Sequence, residues 1–277
     1  MYRVSKVLNN NGVIAIDMDE NKEYVILGKG VGFGKKVSQR FDKPEGCTTY
    51  RLEQETERGS AKELVKGIEP EYLEIADAIL TESQKVFGDS IDRGILFPLA
   101  DHISFAVARI RRNEQISNPL TEDIKVLFYS EFKVAETLKT ILRERLQIEI
   151  DDHEVGYLAL HIHSAIGDEK VSVAMQTARA VRECIDMIEK ATGKPIDVLS
   201  LSYNRLMNHM KYMVARASTG EKLNLDMNEY MLDQYPQAYK VATDICKNLE
   251  GCIGHKLDET ETGYLAMHIQ RVYKDAV

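Results

Sequence analysis

Four of the seven histidines recur in register, and an imidazole is a group that can carry protons or accept phosphate. His102-x6-Arg109 matches His209-x6-Arg216 at a shift of 107 residues. At the same shift, Glu154-x-Gly-Tyr-Leu-Ala-x-His161-Ile matches Glu261-x-Gly-Tyr-Leu-Ala-x-His268-Ile, and Phe132-Lys-Val-Ala135 matches Tyr239-Lys-Val-Ala242. The other three histidines face unlike residues: His153 opposes Thr260, His163 opposes Gln270, and His255 opposes Ile148. Matched histidines suit either packing positions inherited with a duplicated fold or working imidazoles. Positions seven apart lie on nearly the same face of a helix, which groups His102 with Arg109 and Glu154 with His161 at the edge of an apolar stripe. That placement predicts solvent-accessible, oriented imidazoles that act as nucleophile, proton carrier or phosphoryl acceptor. Asp101 adjoins His102 but Asn208 adjoins His209, so the two copies differ beside the first histidine.

Two other chemistries compete for these residues. His161-Ile-His163 resembles a metal-ligand pair, but helix positions two apart point about 200° apart, and Gln270 replaces the second histidine in the other copy. We expect no metal and no other cofactor. Gly28-Lys-Gly-Val-Gly-Phe-Gly-Lys-Lys36 resembles a nucleotide loop, but a P-loop needs Ser or Thr after its GK, and position 33 breaks the GxGxxG pattern. A glycine-rich turn carrying Lys29, Phe33, Lys35 and Lys36 instead supplies what an RNA loop needs, an aromatic face and cations.

The elements that must hold these groups are of two kinds. From residue 64 onward the pattern is helical: Tyr72, Ile75, Ala76, Ile79 and Leu80 follow Pro70 at helical spacing, and Val155, Leu158, Ala159, Ile162, Ala165 and Ile166 form a second stripe. Because one offset serves every matched block, 64–170 and 171–277 read as two copies of one helical domain. The first 58 residues are β-patterned: Val4 and Val7, Val13–Ile16 and Tyr24–Leu27 are short apolar runs, and Asn11-Gly12 between two of them signals a hairpin. So thin a core makes dimerisation through a sheet face or edge reasonable. ETERGSAKE at 55–63 reads as a polar linker.

Charge follows the same division. Residues 1–54 carry +2 and residues 55–277 carry −10, a distribution expected if only the head meets an anionic partner. The whole chain of 277 residues is at −8, with 44% hydrophobic and 29% charged residues, which excludes a wholly disordered protein and one that binds nucleic acid with its entire surface. No apolar run approaches the roughly 18 residues of a membrane span, and MYRVSKVLNN lacks the apolar core of a signal peptide. Cys47, Cys184, Cys246 and Cys252 form no disulfide pattern, so we expect a cytoplasmic protein without membrane insertion.

SKVLNNN at 5–11, LGKGVGFGKK at 27–36, DHISFA at 101–106, GYLALHI at 156–162 and GYLAMHI at 263–269 together resemble the bacterial sugar-operon transcriptional antiterminators of the BglG/SacY type. The resemblance spans essentially the whole chain, and Gly34-Lys-Lys is similar to the glucose-operon branch. It implies a four-stranded β dimer that grips a hairpin in the leader mRNA, so that the overlapping terminator cannot form. It places RNA contacts on Lys6, Asn9, Asn11, Gly28, Lys29 and Phe33, with asparagine amides donating to and accepting from base edges. Lys29 stands where relatives often have Arg, which would shift that contact from base to phosphate. It also implies phosphorylation at His102 and His161 by the phosphorylated sugar-permease subunit, switching the protein off. At His209 and His268 the donor would be the phosphocarrier protein, which often supports activity in relatives.

The sequence therefore predicts a multidomain chain: a small all-β dimerising RNA-binding domain (1–58), then two all-α helical-bundle regulation domains in tandem (64–170 and 171–277). The expected function is antitermination as a homodimer, without enzymatic turnover. A DNA-binding activator with the same regulation domains is the alternative, but it wants a helix-turn-helix where the head is β-patterned. A phosphotransfer enzyme would want a nucleotide site, and none is visible.

Overall fold

The β-branched runs of the head pair with one another. In the computed structural model, which describes residues 1–53, 55–56, 59–114, 116–167, 170–193, 195–197 and 200–275, five strands form one antiparallel sheet. These are β1 (Tyr2–Asn9), β2 (Gly12–Asp17), β3 (Lys22–Leu27), β4 (Arg40–Phe41) and β5 (Thr48–Arg51), in the order β4-β1-β2-β3-β5. The three apolar runs read from the sequence fall on β1, β2 and β3; β5 at one edge and the two-residue β4 at the other make five strands rather than the four the resemblance implies. Asn9 pairs with Gly12, so the hairpin turn is Asn10–Asn11 and Gly12 already opens β2.

Side chains alternate across a strand, so the sheet has two faces to cover. On one, Val4, Val13, Ala15, Ile26, Val31, Phe41 and Cys47 form the head's own core. Val25 and its cross-strand partner Tyr50 are also buried. The Tyr50 ring meets Phe97 edge-on at 6.5 Å, and its hydroxyl donates to Asp77 while accepting from Arg93 Nη2 at 2.7 Å. Burial and the Asp77 charge push the Tyr50 phenol up, which keeps its proton in place for that bond. Part of the burial that the thin core lacks thus comes from the chain's own helices.

The expected open linker is a small ribbon. Strands β6 (Glu55–Thr56) and β7 (Gly59–Ser60) pair, and helix α1 (Ala61–Gly67) starts inside the predicted linker because Ser60 caps it, accepting from Glu63 N at 3.3 Å. Glu57 and Arg58, where the expected domain boundary falls, lie outside the described residues.

The first helical copy continues with α2 (Pro70–Phe87), α3 (Leu96–Arg111), α4 (Thr121–Leu127), α5 (Tyr129–Ala135), α6 (Thr137–Leu146) and α7 (Asp152–Gly167). The second has α8 (Val171–Thr192), α9 (Leu201–Thr219), α10 (Asn228–Gln234), α11 (Pro236–Ile253) and α12 (Thr260–Asp275). Pro70 sits in the first turn of α2, and Tyr72, Ile75, Ala76, Ile79 and Leu80 are all buried. The 107-residue shift carries α4 onto α10, and carries α5 with α6 onto the single helix α11. Residues 1–118 and 130–171 form one compact unit, and 119–129 with 172–277 form another, so the head belongs with the first copy while α4 belongs with the second unit. Within that second unit Tyr203 donates to the buried Asp123 at 3.2 Å, and burial raises that carboxyl. Among the described residues, no helix is long and apolar enough to cross a membrane.

Candidate functional site

The matched histidines meet across helices. On α3 and α7, His102 opposes His161 with ring centroids 5.1 Å apart, and one end along, Arg109 Nη2 donates to Glu154 Oε1 at 2.6 Å. The helices run antiparallel, so seven residues forward on α3 correspond to seven residues back on α7. Residues grouped along each helix by sequence are therefore also grouped between helices. His102 Nε2 lies 3.8 Å from Glu154 Oε2. The second copy repeats this on α9 and α12. His209 and His268 stack at 4.8 Å, and Arg216 donates from Nε and Nη2 to both oxygens of Glu261 at 2.6 and 2.9 Å. His209 Nε2 stands 3.6 Å from Glu261 Oε2. His163 turns away from His161 and places Nδ1 2.9 Å from Glu131 Oε1, as a separation of two residues on a helix requires.

The expectation of solvent-accessible imidazoles is corrected in the first copy, where His102 and His161 are both buried. The polar margin that sequence places at the edge of one stripe is covered by the same margin of the facing helix. In the second copy, burial and the neighbouring His268 and Arg216 charges hold His209 down at about 3. Burial with Arg271 and Arg205 nearby lowers His268 to about 4. Both rings are therefore neutral at pH 7, the form whose ring nitrogen has a lone pair to attack phosphorus. His209 Nε2 and His268 Nδ1 are buried with no hydrogen-bond partner among the described residues. Arg216 and Glu261 line a cleft of about 190 Å³ with Lys222, Lys256 and Asp258. Glu154 lines a cleft of the same volume, about 190 Å³, with Ile110, Ile116 and Ile150. Each buried pair is thus one side chain from an opening, edged with both basic and acidic groups in the second copy and with isoleucines and acidic groups in the first.

The head brings most of the predicted RNA residues into one loop system. Asn9 Oδ1 accepts from Asn11 N at 2.8 Å, and Asn11 Oδ1 accepts from Gly30 N at 3.0 Å. Each Oδ1 thus holds one N–H of the loops and keeps a second lone pair, and both Nδ2 groups donate to Glu74 on α2. Gly28 gives its N–H to Asn11 O at 2.9 Å, and a Cβ there would lie 2.4 Å from Cys47 Sγ. The structure thus gives Gly28 a packing reason of its own. At Gly32 a Cβ would stand 2.0 Å from Asn9 O, so only glycine lets the two loops close on each other. The turn they make lifts Phe33 to 74% exposure, next to the exposed Lys29 and Lys36. Lys6 is exposed on β1, at the rim of a cleft shared with Lys66 and Pro70. Glu74, on α2, receives both asparagine donors, and no repeat or spacing in the sequence marks it.

Residues 77–165 and 182–272, most of the chain, each match the PRD domain family. The chain belongs to the PRD family. Its two PRDs are the two helical copies, and residues 2–59 match the CAT RNA binding domain, which is the strand-rich head. The GlcA/glcB genes antiterminator of Staphylococcus carnosus is 30% identical over 97% of this chain and 94% of its own length. The transcription antiterminator LicT of Bacillus subtilis is 27% identical over 99% of this chain and 100% of its own. A solved structure of GlcT CAT-PRDI, 29% identical, superposes with a TM-score of 0.52 over 60% of this chain and 98% of the other. The PRD protein described here thus joins an RNA-binding CAT head to two regulation domains.

Proposed function

We propose that this PRD protein is a transcription antiterminator of a sugar-uptake operon, whose CAT head holds a leader-RNA hairpin and so keeps the terminator from forming. The observation that carries this reading is the loop pair in the head. Phe33 is presented to solvent on a glycine turn built against Asn9, with Lys29 and Lys36 beside it, a stacking face surrounded by phosphate-binding charge. Lys6, Asn9, Asn11, Gly28, Lys29 and Phe33 form the RNA face, and two heads act together as a homodimer. A DNA-binding activator is disfavoured because, among the described residues, the head is a sheet with no helix to enter a major groove.

His102, His161, His209 and His268 are the phosphoryl acceptors. The donors are a phosphorylated sugar-permease subunit for the first PRD and the phosphocarrier protein for the second, both met in the cytoplasm. The neutral imidazole nitrogen attacks phosphorus while the donor's bond to phosphorus breaks. The phosphoryl group stays on the ring, so the chain is a receiver and not an enzyme. It brings up to about two negative charges beside Glu154 or Glu261. Two anions cannot share that buried corner, so Arg109 or Arg216 leaves its glutamate for the phosphoryl group and the helix pair repacks.

The test is binding of the full chain to the tightest RNA hairpin recovered from a randomised-loop library, with duplex DNA as competitor, at two salt concentrations. Phe33→Ala costs about 1–3 kcal/mol of RNA affinity without lowering the melting temperature, because the exposed ring supports nothing in the fold. Equal preference for duplex DNA, or full affinity in Phe33→Ala, would overturn the reading.

A further inference from the structure

We infer that Glu74 is an autoinhibitory plug: its carboxylate occupies the RNA-reading asparagines of the head and must be displaced before RNA can bind. The inference rests on the reading of Asn9 and Asn11 as RNA contacts.

The geometry is specific. The Asn11 and Gly30 N–H groups fix the orientation of both asparagine amides, since each needs an oxygen to donate to. That leaves two Nδ2 donors aimed the same way. Both end on one carboxylate, Asn9 Nδ2 on Glu74 Oε1 at 2.6 Å and Asn11 Nδ2 on Glu74 Oε2 at 3.1 Å. A carboxylate with two oxygens is the protein group closest in charge and shape to a phosphate or a base carbonyl edge, so Glu74 takes the place the nucleic acid would take. Its position is fixed from behind. Arg145 Nη1 on α6 lies 3.9 Å from Glu74 Oε2, and one turn further along α2, Asp77 binds Tyr50 of the head and Arg93.

Glu74 and Asp77 thus lie three residues apart on one helix and hold the same sheet, one at its RNA loops and one at β5. The helix is placed to transmit a signal as well. It is the first long helix of the PRD and packs directly on α3, which carries His102. A repacking of α3 against α7 would tilt α2, and a small tilt moves Glu74 toward or away from the loops while Asp77 acts as the pivot.

A closed contact of this kind lowers apparent RNA affinity by the fraction of molecules that are open. The test uses the full chain and the library-selected RNA hairpin, comparing wild type, Glu74→Ala, Glu74→Gln, Asn11→Ala and Glu74→Ala with Asn11→Ala. Glu74→Ala is expected to tighten binding about tenfold, and Glu74→Gln less, because a neutral amide of the same size can accept only one of the two bonds. Adding Asn11→Ala to Glu74→Ala should reverse the gain and weaken binding below wild type. Unchanged affinity in both Glu74 variants, with Asn11→Ala still weakening it, would overturn the plug while leaving the RNA face in place. No effect of Asn11→Ala in either background would mean that the asparagines do not read RNA, and the plug falls with them. If Glu74→Ala melts, Glu74→Gln decides: tighter binding supports the plug, and equal or weaker binding overturns it.

Discussion

Replacing Glu261 by Gln removes a buried charge whose partner has little water to turn to. Arg216 gives Glu261 two bonds, at 2.6 and 2.9 Å, and its own side chain is only 15% exposed. In the first PRD, Arg109 gives Glu154 a single bond at 2.6 Å and is 27% exposed. Removing one partner of a fully buried pair costs about 3–5 kcal/mol, and partial exposure of the arginine reduces this because water can take over its donors. Glu261→Gln should therefore cost about 2–4 kcal/mol and Glu154→Gln about 1–2 kcal/mol. The two units need not unfold together, so a whole-chain melting curve would mix them. Amide hydrogen exchange of peptides from α12 and α7 gives the opening free energy of each PRD separately. Double-mutant cycles with Arg216→Met and Arg109→Met remove packing and charge effects common to both sites. The 216–261 coupling should exceed the 109–154 coupling by 1 kcal/mol or more, about a fivefold difference in opening constant. Equal couplings, or a larger one in the first PRD, would refute the claim that geometry and burial set the strength of these pairs.

Two further outcomes follow from the same structure. His209 is held at about 3 and His268 at about 4, below the unfolded value near 6.5, so the unfolded chain takes up protons first as pH falls. The second PRD should be fully stable above pH 6.5 and lose stability toward pH 4, by about 2–4 kcal/mol for the pair at pH 5, and His209→Gln with His268→Gln should flatten that slope in exchange of α9 and α12 peptides. Gly32→Ala would push a Cβ to 2.0 Å from Asn9 O; we expect a loss of about 2 kcal/mol or more in the head, read as faster exchange of β1 and β2 amides.

The helical repeat was legible because a duplicated sequence places matched residues at matched positions: α4 and α10, or α5 with α6 and α11, start and end on the 107-residue shift, although α4 groups with the second unit. The hairpin at Asn10–Asn11 and the stripe on α2 were legible for local reasons, turn chemistry and period. Long-range facts were not. Helical spacing places His102 and Arg109 on one face but says nothing of the antiparallel partner that buries them, so accessibility was overestimated. Glu74 is a lone acidic residue on an ordinary helix, and only the folding of the head against α2 gives it a role. Gly28 and Gly32 read as turn residues, although a side chain there would strike Cys47 or Asn9. The polar stretch at 55–63 lacked any apolar signal, yet backbone pairing joins Glu55–Thr56 to Gly59–Ser60 and the Ser60 cap starts α1 within it.

Phosphoryl groups on the PRD histidines are expected to control RNA binding by the CAT head. The direct measurement is hairpin-RNA affinity of the full chain before and after treatment with phosphoramidate as phosphoryl donor, with incorporation counted by intact mass at neutral pH. His102→Ala with His161→Ala serves as the control. The treatment should weaken binding by about tenfold or more in wild type, and the double variant, which keeps only the second PRD's acceptors, should not be weakened. Stoichiometric phosphoryl incorporation with unaltered RNA affinity would contradict the account.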